Sequence, residues 1–323
     1  LFTLLWTLSP ARTLNETVYL GGIFSAYIVG NNMRDKLSTM KMLTGVGLLI
    51  TLIGFYFFLM PRFGMITKSH DMQNFFFATF YWKNPAAAFI SLFLPITIYF
   101  VLISKKTGEA VLWTTAMTIM GSAFLLTRSR GAILALGISF AAALVLLLFR
   151  YKLPRFWDMF KRRWIALATG LVLIVAIFFM LVPRDSTRQV IENGPAAHKF
   201  ASQETAVQER SSFEREAMLK LGRDMLLDRP LGTGLGAFID AYPQYLRSSF
   251  YLSSHLHNQY LQYAVETGFS GLVLFMLLII SIFLTIRRKG QSLPILIGFA
   301  AFCLHLLLDF HWTFAVFAIR SFL

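Results

Sequence analysis

The chain has almost no cysteine and few charged residues, and both shortages limit what it can be. Cys303 is the single cysteine among 323 residues, which excludes an internal disulfide framework. Only 14% of the residues are charged, whereas 56% are hydrophobic and the mean hydropathy is +0.62. A soluble globular chain does not have this composition, so we expect a membrane protein.

Apolar windows long enough to cross a bilayer recur along the chain. Because backbone polar groups cannot be left unpaired in lipid, these windows predict an all-α, polytopic membrane helix bundle. The first residues, Leu1–Leu8, resemble the end of a further span, so we expect more helices ahead of them. The clear windows are Met42–Met60, Pro85–Ile103, Ala110–Thr127, Gly131–Phe149, Trp164–Val182, Thr267–Ile286 and Gln291–Leu308, and a weaker eighth window is Thr17–Met33.

Basic residues outnumber acidic ones by 30 to 16, which gives a formal net charge of +14. Nucleic-acid binding is a common explanation of such a charge, but the location of the Lys and Arg residues argues against it. They concentrate in short loops on one side of the bundle, chiefly 150–163 and 287–289, and the positive-inside rule places that side in the cytoplasm. We therefore predict contact with membrane lipids and no nucleic-acid partner.

One long polar segment, Arg184–Ser254, interrupts the apolar windows on the external side and is too long to be a simple connection. It divides the chain into membrane helices at 1–183, an external loop domain at 184–257 and C-terminal membrane helices at 258–323. Residues 184–207 lack periodicity, whereas Ser211 and Glu214 fit a capping box. We predict an amphipathic helix that ends before Pro230 and lies over the external mouth of the bundle. Its apolar stripe is Phe213, Ala217, Met218, Leu221 and Met225.

Two arginines, Arg128 and Arg130, lie on the external side where one apolar window ends and the next begins. Arginine at a membrane boundary loses hydration unless it has an anionic partner, and its planar fork suits phosphate. The alternative is a pair of side chains that extend to lipid headgroups. Gly131 would permit a close backbone approach, which favours a phosphate site.

His257 and Asn258 immediately precede a polar helix start on the same external side. A helix N-terminus favours neutral imidazole, which can accept a proton from a hydroxyl as a general base. The alternative is an interfacial histidine that is hydrogen-bonded to a neighbour. The long external loop beside it and the two arginines on the same face favour chemistry.

The remaining histidines and acids do not favour a metal site. His305 and Asp309 are one helical turn apart but lie on a different helix from His255 and His257. No Asp-x-Asp pair occurs, the arrangement that commonly holds a divalent ion on a nucleotide-sugar. The Gly232-x-Gly-x-Gly segment resembles a nucleotide loop, but no predicted strand precedes it. We expect no metal and no cofactor.

Several short segments follow one another in a characteristic order along the chain. The stronger ones are Leu126–Ala132, Arg215–Met218, Asp228–Gly236, His257–Gln262 and Glu266–Leu272, and the weaker ones are Lys83–Ala87 and His305–Phe310. In this order they resemble the O-antigen ligase and polymerase family of bacterial envelope enzymes. Each segment is short, and the ordered set is far more specific than any member.

This resemblance implies a GT-C-type membrane glycosyltransferase that needs no metal. Its donor would be a glycan on undecaprenyl diphosphate, presented at the periplasmic face of the bacterial inner membrane. By motif match, Arg130 and Arg215 lie where the family binds the donor diphosphate, and His257 lies where the family has its essential histidine. The assignment of Arg215 depends on the resemblance alone, because the residues around it in the sequence suggest an exposed ion pair. Arg128 is a further candidate for the diphosphate, and Asn258, Asp309 and the Gly232–Gly236 turn are candidates for supporting roles.

Three acceptors are consistent with this chemistry. A ligase would use lipid A–core, a polymerase a second lipid-linked repeat unit, and a protein O-oligosaccharyltransferase a hydroxyl side chain. The paired His255 and His257 and the modest loop length favour the ligase. A transporter of lipid-linked glycan is the alternative from another class, but the sequence predicts neither charges at mid-span nor broken helices in matching halves.

Overall fold

The computed structural model describes residues 2–32, 35–60, 75–80, 82–149, 153–182, 215–246, 255–287 and 293–309. Every regular element in these ranges is helical, which confirms the all-α prediction. One-turn 3₁₀ helices cover Phe2–Leu5 and Tyr242–Tyr245. The α-helices are α1 (Pro10–Asn32), α2 (Lys36–Leu59), α3 (Lys83–Ile103), α4 (Thr107–Leu126), α5 (Arg130–Phe149), α6 (Leu153–Leu181), α7 (215–228), α8 (Phe238–Ala241), α9 (Gln259–Arg287) and α10 (Leu293–His305).

Six helices in the described ranges are long and apolar enough to cross a membrane, namely α2, α3, α4, α5, α6 and α9. The chain is therefore a multi-pass membrane protein, although with fewer such helices than the eight windows predicted. The window Gln291–Leu308 is wrong at its end, because α10 stops at His305 after 13 residues. Within Leu1–Leu8 the structure describes the one-turn 3₁₀ helix at Phe2–Leu5, and the interpretation of this segment as the end of a further span stays a prediction.

The chain forms two compact units. The first, which we name the histidine unit, has the described residues 2–31, 215–246, 255–281 and 306–309. The second, which we name the bundle unit, has the described residues 32, 35–60, 75–80, 82–149, 153–182, 282–287 and 293–305. Neither unit is a continuous stretch of sequence, because the chain passes between them several times.

The bundle unit packs α3 against α4 and α10, α5 against α10, and α4 against α6. Small residues allow these helices to approach closely, as is common in membranes. A Cβ atom on Gly298 of α10 would lie 2.5 Å from the carbonyl oxygen of Leu92 in α3. This position therefore requires glycine, and α10 rests directly on the backbone of α3.

Helix α6 begins at Leu153, eleven positions earlier than the window Trp164–Val182 predicted. Its first turns carry basic residues, which find partners inside the protein. The Nε and Nη2 atoms of Arg163 donate to the carbonyl of Ser104 at 3.1 and 2.7 Å, and Nη2 also donates to that of Lys105. These carbonyls follow the C-terminus of α3, where helical donors are missing. A guanidinium thus caps one helix while belonging to another.

The histidine unit confirms the apolar stripe of the predicted amphipathic helix. Met218, Leu221 and Met225 of α7 are buried in one cluster with Leu256 and residues of α8 and α9. Helix α7 ends at 228, two positions before Pro230, because proline disfavours helical backbone in the residue ahead of it. Phe213, the capping box Ser211–Glu214 and residues 184–207 lie outside the described residues.

Candidate functional site

His257 lies in a short segment that leads into α9 and has an unusual backbone conformation. Its φ angle is +54°, in the left-handed region where non-glycine residues are uncommon. The residues on both sides are anchored. The N–H of Leu256 donates to Oε1 of Gln262 at 2.9 Å, and Oδ1 of Asn258 accepts the N–H of Leu261 at 3.0 Å. Asn258 therefore caps α9, and His257 is held between two fixed neighbours.

The imidazole of His257 faces a buried carboxylate. Its Nδ1 atom lies 3.5 Å from Oδ1 of Asp309, and the Asp309 side chain is 2% exposed whereas that of His257 is 32% exposed. Because Nδ1 is itself buried, the exposed area belongs to the other atoms of the side chain. The N–H of Gln259 donates to the carbonyls of Leu306 and Asp309, at 3.0 and 3.2 Å. These bonds tie the start of α9 to the segment that carries the carboxylate.

The second histidine of the pair, His255, has a different environment. Burial, reinforced by the neighbouring His257, lowers the pKa of His255 to about 4, while Asp309 acts in the opposite direction. His255 is therefore neutral at pH 7. In the ranges that the structure describes, no group of three His, Cys, Asp or Glu residues could hold a metal ion.

The turn Gly232–Gly236 uses its N–H groups within the protein rather than for a ligand. Thr233 and Gly234 donate to the carbonyls of Val265 and Glu266 at 2.9 Å each, and Gly236 donates to Oε2 of Glu266 at 2.8 Å. The phosphate loop that this motif resembles needs such groups open to the ligand. The turn is therefore a packing element of the histidine unit.

A break in α9 allows the glycine turn to approach. Gly268 has φ +73° and ψ −177°, which is not helical. A Cβ atom on Gly232 would lie 2.5 Å from the carbonyl oxygen of Glu266, and one on Gly268 would lie 2.5 Å from that of Pro230. The carbonyls just before such a break need donors from outside their helix, and the glycine turn supplies them.

The glycine turn also binds the segment ahead of α1. Three alternate carbonyls, those of Leu231, Thr233 and Leu235, accept hydrogen bonds from this segment and the first turn of α1. The donors are Nε1 of Trp6 at 3.0 Å, the N–H of Leu8 at 3.0 Å and Oγ1 of Thr13 at 2.8 Å. The turn is thus hydrogen-bonded both to α9 and to the residues at and ahead of the start of α1.

Arg128 and Arg130 lie together in the bundle unit, at the tight turn between α4 and α5. Arg128 has φ +52° and is exposed, and Arg130 is exposed as the first residue of α5. Thr127 shapes the turn, because its Oγ1 donates to the carbonyl of Phe124 and accepts the N–H of Ser129. The hydroxyl of Ser129 is buried and has no hydrogen-bond partner among the described residues. A helix N-terminus with two exposed arginines is a suitable place for an anion.

A third cation stands beside this turn. Nζ of Lys83, at the start of α3, lies 3.8 Å from the centre of the Phe75 ring, and Cζ of Arg128 lies 5.5 Å from the same centre. One aromatic ring therefore holds two cations through its electron-rich face. Sequence reasoning singled out Lys83–Ala87 only as a weak motif at a helix start, and it assigned no role to Lys83 or Phe75.

Arg215 belongs to the histidine unit, as the first described residue of α7, and its side chain is exposed. The structure thus brings His257, Asn258 and Asp309 together, and it brings Arg128 and Arg130 together.

Sequence reasoning missed the roles of Gln262 and Glu266. Both are buried, at 4% and 7% exposure, near the start of a membrane-spanning helix. Buried polar groups in such a helix are a signal that could have identified them.

A family model described as O-antigen ligase matches residues 115–276, about half of the chain. The chain belongs to the O-antigen ligase family. The matched region includes Arg128, Arg130, Arg215 and His257, whereas Asp309 lies beyond it. Comparisons with curated proteins and with solved structures gave no match. Membership implies a glycosyltransferase-like activity with a lipid-linked glycan and membrane lipids as partners.

Proposed function

We propose that this protein transfers a glycan from undecaprenyl diphosphate to lipid A–core at the periplasmic face of the bacterial inner membrane, with inversion at the anomeric carbon. The observation that carries the proposal is the pairing of the His257 imidazole with the buried Asp309 carboxylate, 3.5 Å apart, in a member of the O-antigen ligase family. A histidine oriented by a carboxylate is the usual arrangement of a general base.

His257 acts as the base through Nε2. Asp309 faces Nδ1 and favours the tautomer that has its proton there, so the lone pair on Nε2 is available. Nε2 takes the proton of the acceptor hydroxyl while the hydroxyl oxygen attacks the anomeric carbon. The bond from that carbon to the diphosphate oxygen breaks, and undecaprenyl diphosphate leaves with the electron pair.

Arg130, Arg215 and Arg128 bind the donor diphosphate and stabilise the negative charge that grows on it. Arginine forks directed at a developing charge can each contribute roughly a hundredfold in rate in a water-poor site. The exposed arginines at the N-terminus of α5 support this role for Arg128 and Arg130. The same role for Arg215 is supported by its position in the motif and by the exposure of its side chain on α7. Charge stabilisation by arginine makes a divalent ion unnecessary.

The test uses the purified full chain in lipid nanodiscs with a defined undecaprenyl-diphosphate glycan. Parallel reactions contain lipid A–core, a second lipid-linked unit, or a hydroxyl-bearing peptide, and products are separated on gels. A glycosylated lipid A–core together with released undecaprenyl diphosphate would support the ligase. Elongated lipid-linked glycan would indicate a polymerase, and a glycosylated peptide a protein glycosyltransferase.

Proteoliposomes separate the enzyme from a transporter. Donor is placed on one side of the membrane and acceptor is withheld, and the protected fraction of the glycan is measured over time. Movement of intact donor across the bilayer, with no released undecaprenyl diphosphate when acceptor is later added, would contradict the proposed transferase.

A further inference from the structure

We infer that Gln262 and Glu266 form a positioning pair that fixes the main chain ahead of His257, an inference that rests on the proposed function of His257 as the base. Neither residue carries chemistry in the mechanism above. Both lie on the first turns of α9, one helical turn apart and buried. Polar side chains in such a position need a reason, because each costs free energy unless its hydrogen bonds are satisfied.

The hydrogen bonds of this pair link the histidine segment to the glycine turn, and they converge on the carboxylate of Glu266. Oε1 of Gln262 accepts the N–H of Leu256 at 2.9 Å, and Nε2 of Gln262 donates to Oε1 of Glu266 at 2.6 Å. Oε2 of Glu266 then accepts the N–H of Gly236 at 2.8 Å. Both ends of this hydrogen-bonded series, at Leu256 and Gly236, are main-chain N–H donors, so an oxygen must face each of them.

A donor on one side and a carboxylate on the other fix the amide of Gln262 in one orientation. Its oxygen must face Leu256 and its nitrogen must face the carboxylate, because the reverse would place a donor against a donor and an acceptor against an acceptor. The main chain of Leu256 is therefore held at one point, and its side chain is fully buried against α7. The next residue is His257.

The left-handed backbone of His257 explains why such an anchor is needed. A non-glycine residue at φ +54° is strained by about 1 kcal/mol or more, and it keeps that conformation only where the surroundings impose it. Gln262 fixes the residue before His257, and the cap of Asn258 fixes the residue after it. Loss of the first anchor would let the imidazole turn away from Asp309.

The test exchanges the two side chains. Gln262→Glu sets a carboxylate against Glu266, and Glu266→Gln sets an amide against Gln262, so each single variant contains one repulsive contact. In the double variant Q262E/E266Q, the new carboxylate accepts from Leu256 and from the amide at 266, whose oxygen accepts from Gly236. Every hydrogen bond is restored with the charge moved by one turn.

We expect each single variant to lose about a hundredfold in kcat, the cost of a misplaced catalytic group, with the KM for donor little changed. The double variant recovers most of that loss. A further variant, Gln262→Leu, removes the amide of Gln262. Its matched control is Gln244→Leu, the same change at an exposed glutamine of the same unit. Rates are expressed per folded molecule, and the melting temperature is measured for each variant. Lower melting temperatures with unchanged kcat would overturn the inference, since they would indicate a merely structural pair.

A second readout does not depend on transferase activity. Protein with ¹⁵N-labelled histidine gives imidazole signals that report the tautomer and surroundings of His257. We expect those signals to shift in Gln262→Leu, to stay unchanged in Gln244→Leu and to return to their wild-type positions in the double variant.

A wild-type protein without transfer would contradict the proposed function, whereas unchanged His257 signals in Gln262→Leu would contradict this inference alone. If both the single Glu266→Gln variant and the double variant stay inactive while the His257 signals are normal, Glu266 acts on substrate directly and the positioning role is wrong.

Discussion

The two regions that carry the candidate residues are built differently. Around His257, hydrogen bonds join segments that are far apart in sequence, such as Gln259 with Leu306 and Gly236 with Glu266. Around Arg128 and Arg130, the turn is shaped mostly by neighbours, as in the bonds of Thr127. A proton acceptor must be aimed to within fractions of an ångström, whereas a guanidinium on a long side chain stabilises charge from a range of positions. The construction of each region matches the precision that its proposed role requires.

The largest effect should come from the imidazole itself. We expect His257→Asn to reduce transfer by about 10²–10⁴-fold, the usual contribution of a general base, while donor binding is kept. Asparagine tolerates left-handed backbone, so the segment keeps its shape and the loss reports the missing base. Transfer is followed by release of undecaprenyl diphosphate, with His255→Asn as the neighbouring control. Activity near that of the wild type would remove His257 from the mechanism.

A smaller but clear loss should follow a change at the arginine turn. Arg130→Lys keeps the charge but replaces a planar fork with a point charge, and we expect about a hundredfold lower kcat. The control is Arg223→Lys, because Arg223 lies on α7 and pairs with Asp224 at the surface. Arg163 would be a poor control, since its guanidinium caps a helix. If Arg130→Lys transfers at the wild-type rate, Arg130 only contacts lipid headgroups.

The break in α9 should be intolerant of any side chain. Gly268→Ala would strain a backbone conformation that only glycine adopts readily and would bring Cβ to 2.5 Å from the Pro230 carbonyl. We expect a cost of about 1–3 kcal/mol, seen as a lower melting temperature in detergent. Gly137→Ala, where a Cβ atom meets nothing within 4 Å, is the control. Equal melting temperatures for the two variants would mean that the break relaxes easily.

The effect that vanishes at neutral pH should be a pH dependence from His255. Its pKa is about 4 in the folded protein against 6.5 for an ordinary histidine, so the unfolded state binds more protons between these values. The corresponding stability is fully present above pH 6.5 and is lost as the pH falls towards 4. His255→Asn should flatten the melting temperature over this interval, and a parallel decline in both proteins would assign the acid sensitivity to other groups.

Much of the bundle could be predicted from the sequence, because apolar composition decides which residues enter a membrane. The errors fall at helix ends, where polar residues find partners that composition does not show. Helix α9 begins at Gln259, where the polar helix start after His257 was predicted, although the apolar window Thr267–Ile286 begins eight positions later. Its polar first turns lie in the protein because Gln262 and Glu266 are hydrogen-bonded to each other. Helix α10 stops at His305 in part because the carbonyl of Leu306 accepts the N–H of Gln259.

The candidate site was predictable by residue type and less so by arrangement. The motifs singled out His257 and Arg130, and the carboxylate of Asp309 was expected to have a supporting role. The left-handed backbone at His257 and Arg128 had no signature, since neither residue is a glycine. The spacing of the glycine turn was a misleading signature of a phosphate loop, because spacing alone does not reveal that its N–H groups donate to acceptors on α9.

The pairing of the segment ahead of α1 with the carbonyls at 231, 233 and 235 has a consequence for how relatives should be compared. At one of the three contacts both the donor, the N–H of Leu8, and the acceptor, the carbonyl of Thr233, are main-chain atoms, so these two amino acids can vary without changing the bond. The other two donors are side-chain atoms of Trp6 and Thr13. Alignments would then assign little weight to Leu8, although the glycine turn is hydrogen-bonded to it. Slow amide exchange at Leu8 would reveal that dependence where no pattern of substitution could.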